Sequence, residues 1–315
     1  MCRPARRGRL RPGVRGGARL RSAGAGVDLN VELCGLRLHT PLVPAAGTHG
    51  KEAVQASEGV YGAVLPKTVT PQPRTGNPPP RLAETPAGMI NSIGLQNPGV
   101  ERFMEELDAF DTGVPLFVSV AGETAGDYSL LCGRLAADDR VRAIELNLSC
   151  PNVERGGLYF CAVPASVEEV VAAAVEAAGG KPVLAKLASE GAVEGAQAAE
   201  RAGAAAVTLI NTLPALAVDA RRREVRLRGG LSGPAIKPVA LRAVYEAFRA
   251  VGIPILGCGG VATGTDVAEF MLAGATAVQI GSAGFVRDPR EILREFSGYL
   301  RETGLDARDL IGAAH

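Results

Sequence analysis

Short runs of Val, Ile, Leu and Ala recur along the chain. They are separated by longer Ala-rich stretches in which the apolar residues return with helical spacing. The runs fall at 41–46, 61–66, 115–120, 142–148, 182–187, 205–210, 253–258 and 275–280. Most are continuous rather than alternating, the pattern of parallel strands buried on both faces. Two of the intervening helices carry start signals: Ser166-Val-Glu-Glu169 reads as a capping box, and Thr263-Gly-Thr-Asp266 supplies a hydroxyl and an acid. Strand followed by helix, repeated through eight units, predicts an α/β fold, a single (β/α)8 TIM barrel with right-handed crossovers. An open doubly wound sheet would announce a nucleotide loop near its first strand. Here that strand runs into Pro44-Ala-Ala-Gly47 instead. Residues 28–40 predict a short hairpin turning at Cys34-Gly35, and long loops follow strand two (71–97) and strand six (213–235). Loops of that length in a compact fold usually carry function.

Composition narrows the picture. With 315 residues, 47% of them apolar, the chain can bury a large core. No stretch approaches the roughly 18 apolar residues of a membrane span, so a protein free of the membrane is expected. The net charge of +1 hides an asymmetry: residues 1–26 hold eight Arg and no acid, which leaves residues 27–315 at −7. A body of that sign does not attract nucleic acid by its bulk field. The Gly, Pro and Arg of residues 1–26 predict a disordered extension ahead of one catalytic domain, 27–315, and that extension lacks the apolar region of a secretory signal. The cysteines, at 2, 34, 132, 150, 161 and 258, are too scattered for a zinc site or an iron–sulfur cluster. They point to a reducing, cytoplasmic setting.

Barrel enzymes place their chemistry at the C-terminal ends of the strands. Those ends carry Lys67, Ser119, Asn147 with Cys150 and Asn152, Lys186, and Asn211 with Thr212. A ring of amides and lysines at the edge of an apolar barrel is costly unless something polar meets it. The last two units end in Gly257-Cys-Gly-Gly-Val261 and Gly281-Ser-Ala-Gly284, each running into a helical pattern. Such loops bind phosphate through backbone N–H groups and helix N-termini. A phosphate there would set the ring of flavin mononucleotide (FMN) over the barrel mouth, its polar edge near Lys67 and Lys186.

Three further segments, Asn91-Ser-Ile-Gly-Leu-Gln-Asn-Pro-Gly99, Glu145-Leu-Asn-Leu-Ser-Cys-Pro-Asn152 and Gly230-Leu-Ser-Gly-Pro-Ala-Ile-Lys-Pro238, together with Gly76-Asn-Pro and Ile210-Asn-Thr212, make the chain resemble the dihydroorotate dehydrogenases. The likeness is to the soluble class 1, most of all to the NAD-linked class 1B catalytic subunit. It implies an FMN-binding barrel that oxidises dihydroorotate to orotate in pyrimidine biosynthesis. Cys150 would be the base that removes the C5 proton while hydride passes from C6 to flavin N5, a task suited to a thiol whose ordinary pKa is about 8.5. The resemblance assigns the substrate to Lys67, Asn91, Ser92, Ile93, Gly94, Leu95, Asn147, Asn211 and Thr212. It assigns FMN to Ala46, Lys67, Thr68, Ser119, Asn147, Lys186, Ile210, Gly233, Gly259, Gly260, Gly281 and Ser282.

Some positions depart from the family pattern. Ala46 stands where serine is usual, Ser119 replaces a common asparagine, and Lys186 is followed by Leu-Ala-Ser-Glu rather than Leu-Ser-Pro-Asn. Val153-Glu-Arg-Gly-Gly157 is similar to the NAD-linked type. That type implies a homodimer flanked by two partner subunits carrying FAD and a [2Fe–2S] cluster, a heterotetramer that passes electrons to NAD+. Two other readings fit an FMN barrel: a tRNA dihydrouridine synthase, with the Arg-rich segment on RNA, and a non-catalytic flavin-holding subunit. The acidic body and the dihydroorotate-type motifs weigh against both.

Overall fold

The computed structural model describes residues 26–50, 59–149 and 163–315. The Arg-rich segment 1–25, residues 51–58 and residues 150–162 lie outside it. The chain opens with the expected hairpin, β1 (Val31–Leu33) against β2 (Leu36–Leu38), with Val31 opposite Leu38. Cys34 and Gly35 both take left-handed φ values, 53° and 75°, as a two-residue turn matched to strand twist requires. Val31, Leu33 and Leu38 are buried, and Cys34 Sγ lies 3.5 Å from the Ala205 carbonyl, so the hairpin sits against the start of a barrel strand.

Thirteen strands are present among the described residues, in three sheets. In chain order the next are β3 (Leu42–Pro44), β4 (Leu82–Thr85), β5 (Gly88–Asn91), β6 (Leu116–Val120), β7 (Val141–Asn147), β8 (Val183–Leu187) and β9 (Ala206–Leu209). Then come β10 (Leu213–Asp219), β11 (Glu224–Ser232), β12 (Ile255–Cys258) and β13 (Ala277–Ile280). The central sheet is seven-stranded and wholly parallel, in the order β3-β13-β12-β9-β8-β7-β6. Its strands are buried almost throughout, as their continuous apolar runs predict.

The expected second strand, 61–66, is not a regular strand. Val64 and Val69 make only isolated parallel bridges to Leu116 and Val120. Pro66 has no N–H to give to a ladder, which is reason enough for the interruption. The segment nevertheless closes the barrel. Gly62 N donates to Leu42 O on one side (2.8 Å), while Val64 and Val69 exchange four bonds with 115–121 on the other (2.8–2.9 Å).

The two long insertions, expected as loops, contain strands. They meet in one antiparallel sheet, β10-β11-β5-β4, with its own small core of Ala83, Ile90 and Leu227. Pairing of Gly230 with Asn91 joins one insertion to the other over the C-terminal end of the barrel. No helix among the described residues is long and apolar enough to cross a membrane.

Capping follows the sequence at one predicted site and departs from it at the other. Helix Pro164–Ala177 starts with Val163 as N-cap and Pro in its first turn, so Ser166 lies inside that turn and caps nothing. Proline's preset φ makes the earlier start favourable. Helix Gly264–Leu272 does start at the expected hydroxyl and acid, which form a reciprocal capping box: Thr263 Oγ1 accepts from Asp266 N (3.2 Å) and Asp266 Oδ2 accepts from Thr263 N (2.8 Å). Asp266 also accepts from Ala262 N (2.9 Å) and from Lys237 Nζ (2.6 Å), tying helix Lys237–Phe248 to the Gly259-Gly260 loop. Burial raises the Asp266 pKa, but Lys237 and the backbone N–H groups outweigh it and hold the carboxyl below the ordinary 3.8. A lowered folded pKa contributes stability above the unfolded value and loses it as pH falls through the folded one. Asp266→Asn should therefore cost about 1–2 kcal/mol at neutral pH. In thermal melts from pH 7 downwards, the gap between variant and wild type should close as pH drops below about 4.

Candidate active site

A cavity of about 1690 Å³ opens at the C-terminal end of the barrel, roofed on one side by the antiparallel sheet. Sites for single small molecules run to about 1,000 Å³. This one has room for two ligands. Every described residue that the sequence analysis assigned to substrate or FMN lines it: Ala46, Lys67, Thr68, Asn91 to Leu95, Ser119, Asn147, Lys186, Ile210 to Thr212, Gly233, Gly259, Gly260, Gly281 and Ser282. Residues 150–162, with Cys150, Asn152 and Val153–Gly157, lie outside the described structure. The preceding residue is placed: Ser149 is on the cavity wall and its hydroxyl donates to Lys186 O at 3.3 Å.

Three amides converge from different elements. Asn147 ends β7, where Tyr128 Oη, from a helix behind it, donates to its carbonyl at 2.8 Å. Asn211 follows β9; its Nδ2 donates to Asn147 Oδ1 at 3.1 Å, and its Oδ1 accepts from Thr212 N at 2.8 Å. Asn91 ends β5 and donates to Gly230 O at 3.2 Å. Gly230 is small for a reason: a Cβ there would stand 2.0 Å from Thr212 Oγ1. The amides are thus pre-set at fixed geometry, which favours a planar ligand rich in donors and acceptors.

On the opposite wall the chain is glycine-rich. Gly259 and Gly260 have φ of 120° and 84°, and a Cβ on Gly260 would fall 2.7 Å from Lys237 N. The loop therefore lies flat on the first turn of helix Lys237–Phe248 with its backbone open to the cavity. Gly281 and Ser282 lead into the short 3-10 turn Ser282–Phe285, and Gly233 precedes another, Pro234–Ile236. These glycines leave stretches of backbone without side chains along the cavity wall, which fits a phosphate held by N–H groups. Gly47, at φ 86°, leaves space for Lys67, whose Nζ would be 3.1 Å from a Cβ placed there. Of the departures, Ser119 is fully buried and its Oγ lies 3.0 Å from Thr68 Oγ1, so its hydroxyl is engaged within the wall.

Lys186 is the most buried cation of the site, at 6% exposure. Its Nζ donates to Gln279 Oε1 at 2.8 Å and lies 3.8 Å from Glu145 Oε1. Glu145 Oε2 accepts from Thr208 Oγ1 (2.8 Å) and Gln279 Nε2 (2.7 Å). Burial disfavours the ammonium, yet the Cys258 sulfur and the Glu145 carboxylate outweigh it, and the Lys186 pKa is raised. This cluster escaped the sequence reading, although Glu145 stands two positions before Asn147, on the same face of one strand. Arg74, Glu123 and Arg228 at the rim were missed as well; Arg74 and Glu123 pair at 3.3 Å. The thiols of Cys34 and Cys132 are pushed up by burial to about 12, in keeping with structural roles. Cys2 and Cys161 lie outside the described residues.

Comparison with known proteins agrees with this geometry. The chain is 45% identical over 305 residues to a protein of Desulforudis audaxviator, covering 92% of this chain and 98% of that one. It is 43% identical over 300 residues to one of Geotalea uraniireducens and 44% identical over 301 residues to one of Geobacter sulfurreducens, in each case across 91% of this chain and 98% of the relative. All three are named dihydroorotate dehydrogenase B (NAD(+)), catalytic subunit. The family model for dihydroorotate dehydrogenase matches residues 28–297, and the chain belongs to that family.

Proposed function

We propose that the chain is an FMN-dependent dihydroorotate dehydrogenase of the NAD-linked kind, oxidising (S)-dihydroorotate to orotate for pyrimidine synthesis. One observation carries the reading. Residues scattered from Ala46 to Ser282, expected at the site from their place at strand ends or from the family resemblance, line a single cavity in a chain of this family. When bound, FMN supplies a two-electron acceptor that takes hydride from the substrate's C6.

The protein's own residues divide the remaining work. The backbones of Gly259, Gly260, Gly281 and Ser282 would hold the FMN phosphate. Ala46, Thr68, Ser119, Ile210 and Gly233 would flank the rest of the cofactor, with Lys67, Asn147 and Lys186 against its polar edge. Asn91, Asn147, Asn211 and Thr212, with Ser92 to Leu95, would bind the ring amides and carboxylate of the substrate. Lys67 would meet the substrate's negative charge. Cys150, as thiolate, would take the C5 proton. The relatives' designation as catalytic subunits supports a further partner. In our reading that partner carries FAD and a [2Fe–2S] cluster, relays the electrons to NAD+, and flanks a homodimer of this chain in a heterotetramer.

The reading is tested by the anaerobic visible spectrum of the flavin-loaded chain before and after dihydroorotate. Bleaching is expected, slowed about 10²- to 10⁴-fold in Cys150→Ala at neutral pH, the usual worth of a positioned base. A flavin band that dihydroorotate leaves untouched sinks the proposal. Gly230→Ala should push Thr212 aside and raise KM for dihydroorotate about tenfold, the cost of one misplaced hydrogen bond. A normal flavin spectrum and unchanged melting temperature would locate that effect at the substrate.

A further inference from the structure

Inside the barrel, below the cavity, Glu145 has an unusual environment. It is 1% exposed, and Oε2 is held by donors from two other strands, Thr208 on β9 and Gln279 on β13. Its second oxygen, Oε1, is buried, accepts no hydrogen bond among the described residues, and faces Lys186 Nζ at 3.8 Å. Gln279 is fixed at both ends, accepting from Lys186 and donating to Glu145. The carboxylate is therefore locked in orientation, with its second oxygen turned towards the Lys186 ammonium, which lines the cavity.

The groups facing Lys186 come from three strands: Glu145 on β7, Cys258 on β12 and Gln279 on β13. Gln279 is neutral. Burial pushes the Cys258 thiol up. Glu145 is the carboxylate that the geometry sets beside the ammonium, 3.8 Å from Lys186 Nζ. A lysine this deeply buried and deprived of its counter-ion sheds its proton rather than bear the cost of desolvation.

We infer that Glu145 is a positioning residue that keeps Lys186 charged and aimed into the cavity, so that a carboxylate remote from the ligand sets the charge met by the flavin's polar edge. The part concerning flavin rests on the function proposed above; the part concerning Lys186 does not.

The chain has five lysines, at 51, 67, 181, 186 and 237, which makes a direct test practicable. In the full-length chain labelled with 13C-lysine and free of flavin, Lys186→Met assigns the Lys186 resonance. Wild-type Lys186 should stay charged through neutral pH. In Glu145→Gln, which keeps the volume and an acceptor for Thr208, its titration should shift down to become the lowest of the five. If Lys186 in Glu145→Gln still titrates alongside the other lysines, the inference is wrong. A second measurement covers the case in which Glu145→Gln does not fold. Lys186→Met and the double variant Glu145→Gln/Lys186→Met leave no lone buried ammonium. Loaded with FMN, both should show a flavin midpoint potential lower than wild type, and the same potential as each other. A difference between them would mean that Glu145 acts otherwise than through Lys186, and would overturn the inference. Failure of the chain to bind FMN would refute the proposed function instead, while the lysine titration still decides the role of Glu145.

Discussion

An ammonium and a carboxylate held together in a barrel interior make demands on every strand around them. Lys186 and Glu145 can share that space only because Gln279 and Thr208 satisfy the remaining polar atoms, and these side chains come from β8, β7, β13 and β9. Their meeting depends on register. Asn147 pairs with Lys186, Lys186 with Thr208, and Cys258 with Gln279 in adjoining strands. A slip of one residue in any strand would turn its side chain to the outer face and leave a charge unpaired, at a cost of several kcal/mol. The same register that balances the buried charges also brings Asn147, Lys186 and Asn211 together at the cavity floor.

The rest of the site is built around that floor by backbone rather than by side-chain packing. On one wall, glycines let loops lie against the first turns of helices with their N–H groups open to the cavity. Across the mouth, two insertions far apart in sequence pair through Gly230 and Asn91, and the absence of a Cβ at Gly230 admits Thr212 beside them. In the function proposed, the groups that would meet a planar, amide-rich anion and those that would hold a phosphate come from different parts of the chain, at one end of one barrel.

Much of this was legible from residue order. Seven strands, the Cys34-Gly35 turn and the Thr263 cap follow from short-range rules: burial on both faces, paired left-handed residues, and a hydroxyl with an acid three positions on. The same rules misled at Ser166, where Pro164 starts the helix one turn earlier, and at 61–66, where Pro66 breaks the ladder yet the segment still closes the barrel. The strands β4, β5, β10 and β11 were hidden because none is stable alone. Their apolar face is a few residues wide, and exists only when the two insertions come together over Ala83, Ile90 and Leu227.

The sequence by itself determined the alternation of strand and helix, the ring of polar residues at the strand ends and the family motifs, because each is a matter of spacing along the chain. Only the tertiary structure decided which side chains touch. What a glutamate inside a strand will meet is set only by closure of the barrel, which brings Glu145 beside Lys186 and Gln279. That closure depends on hydrogen bonds between residues far apart in the chain, such as Gly62 with Leu42 and Val69 with Ser119, whose pairing no local pattern encodes.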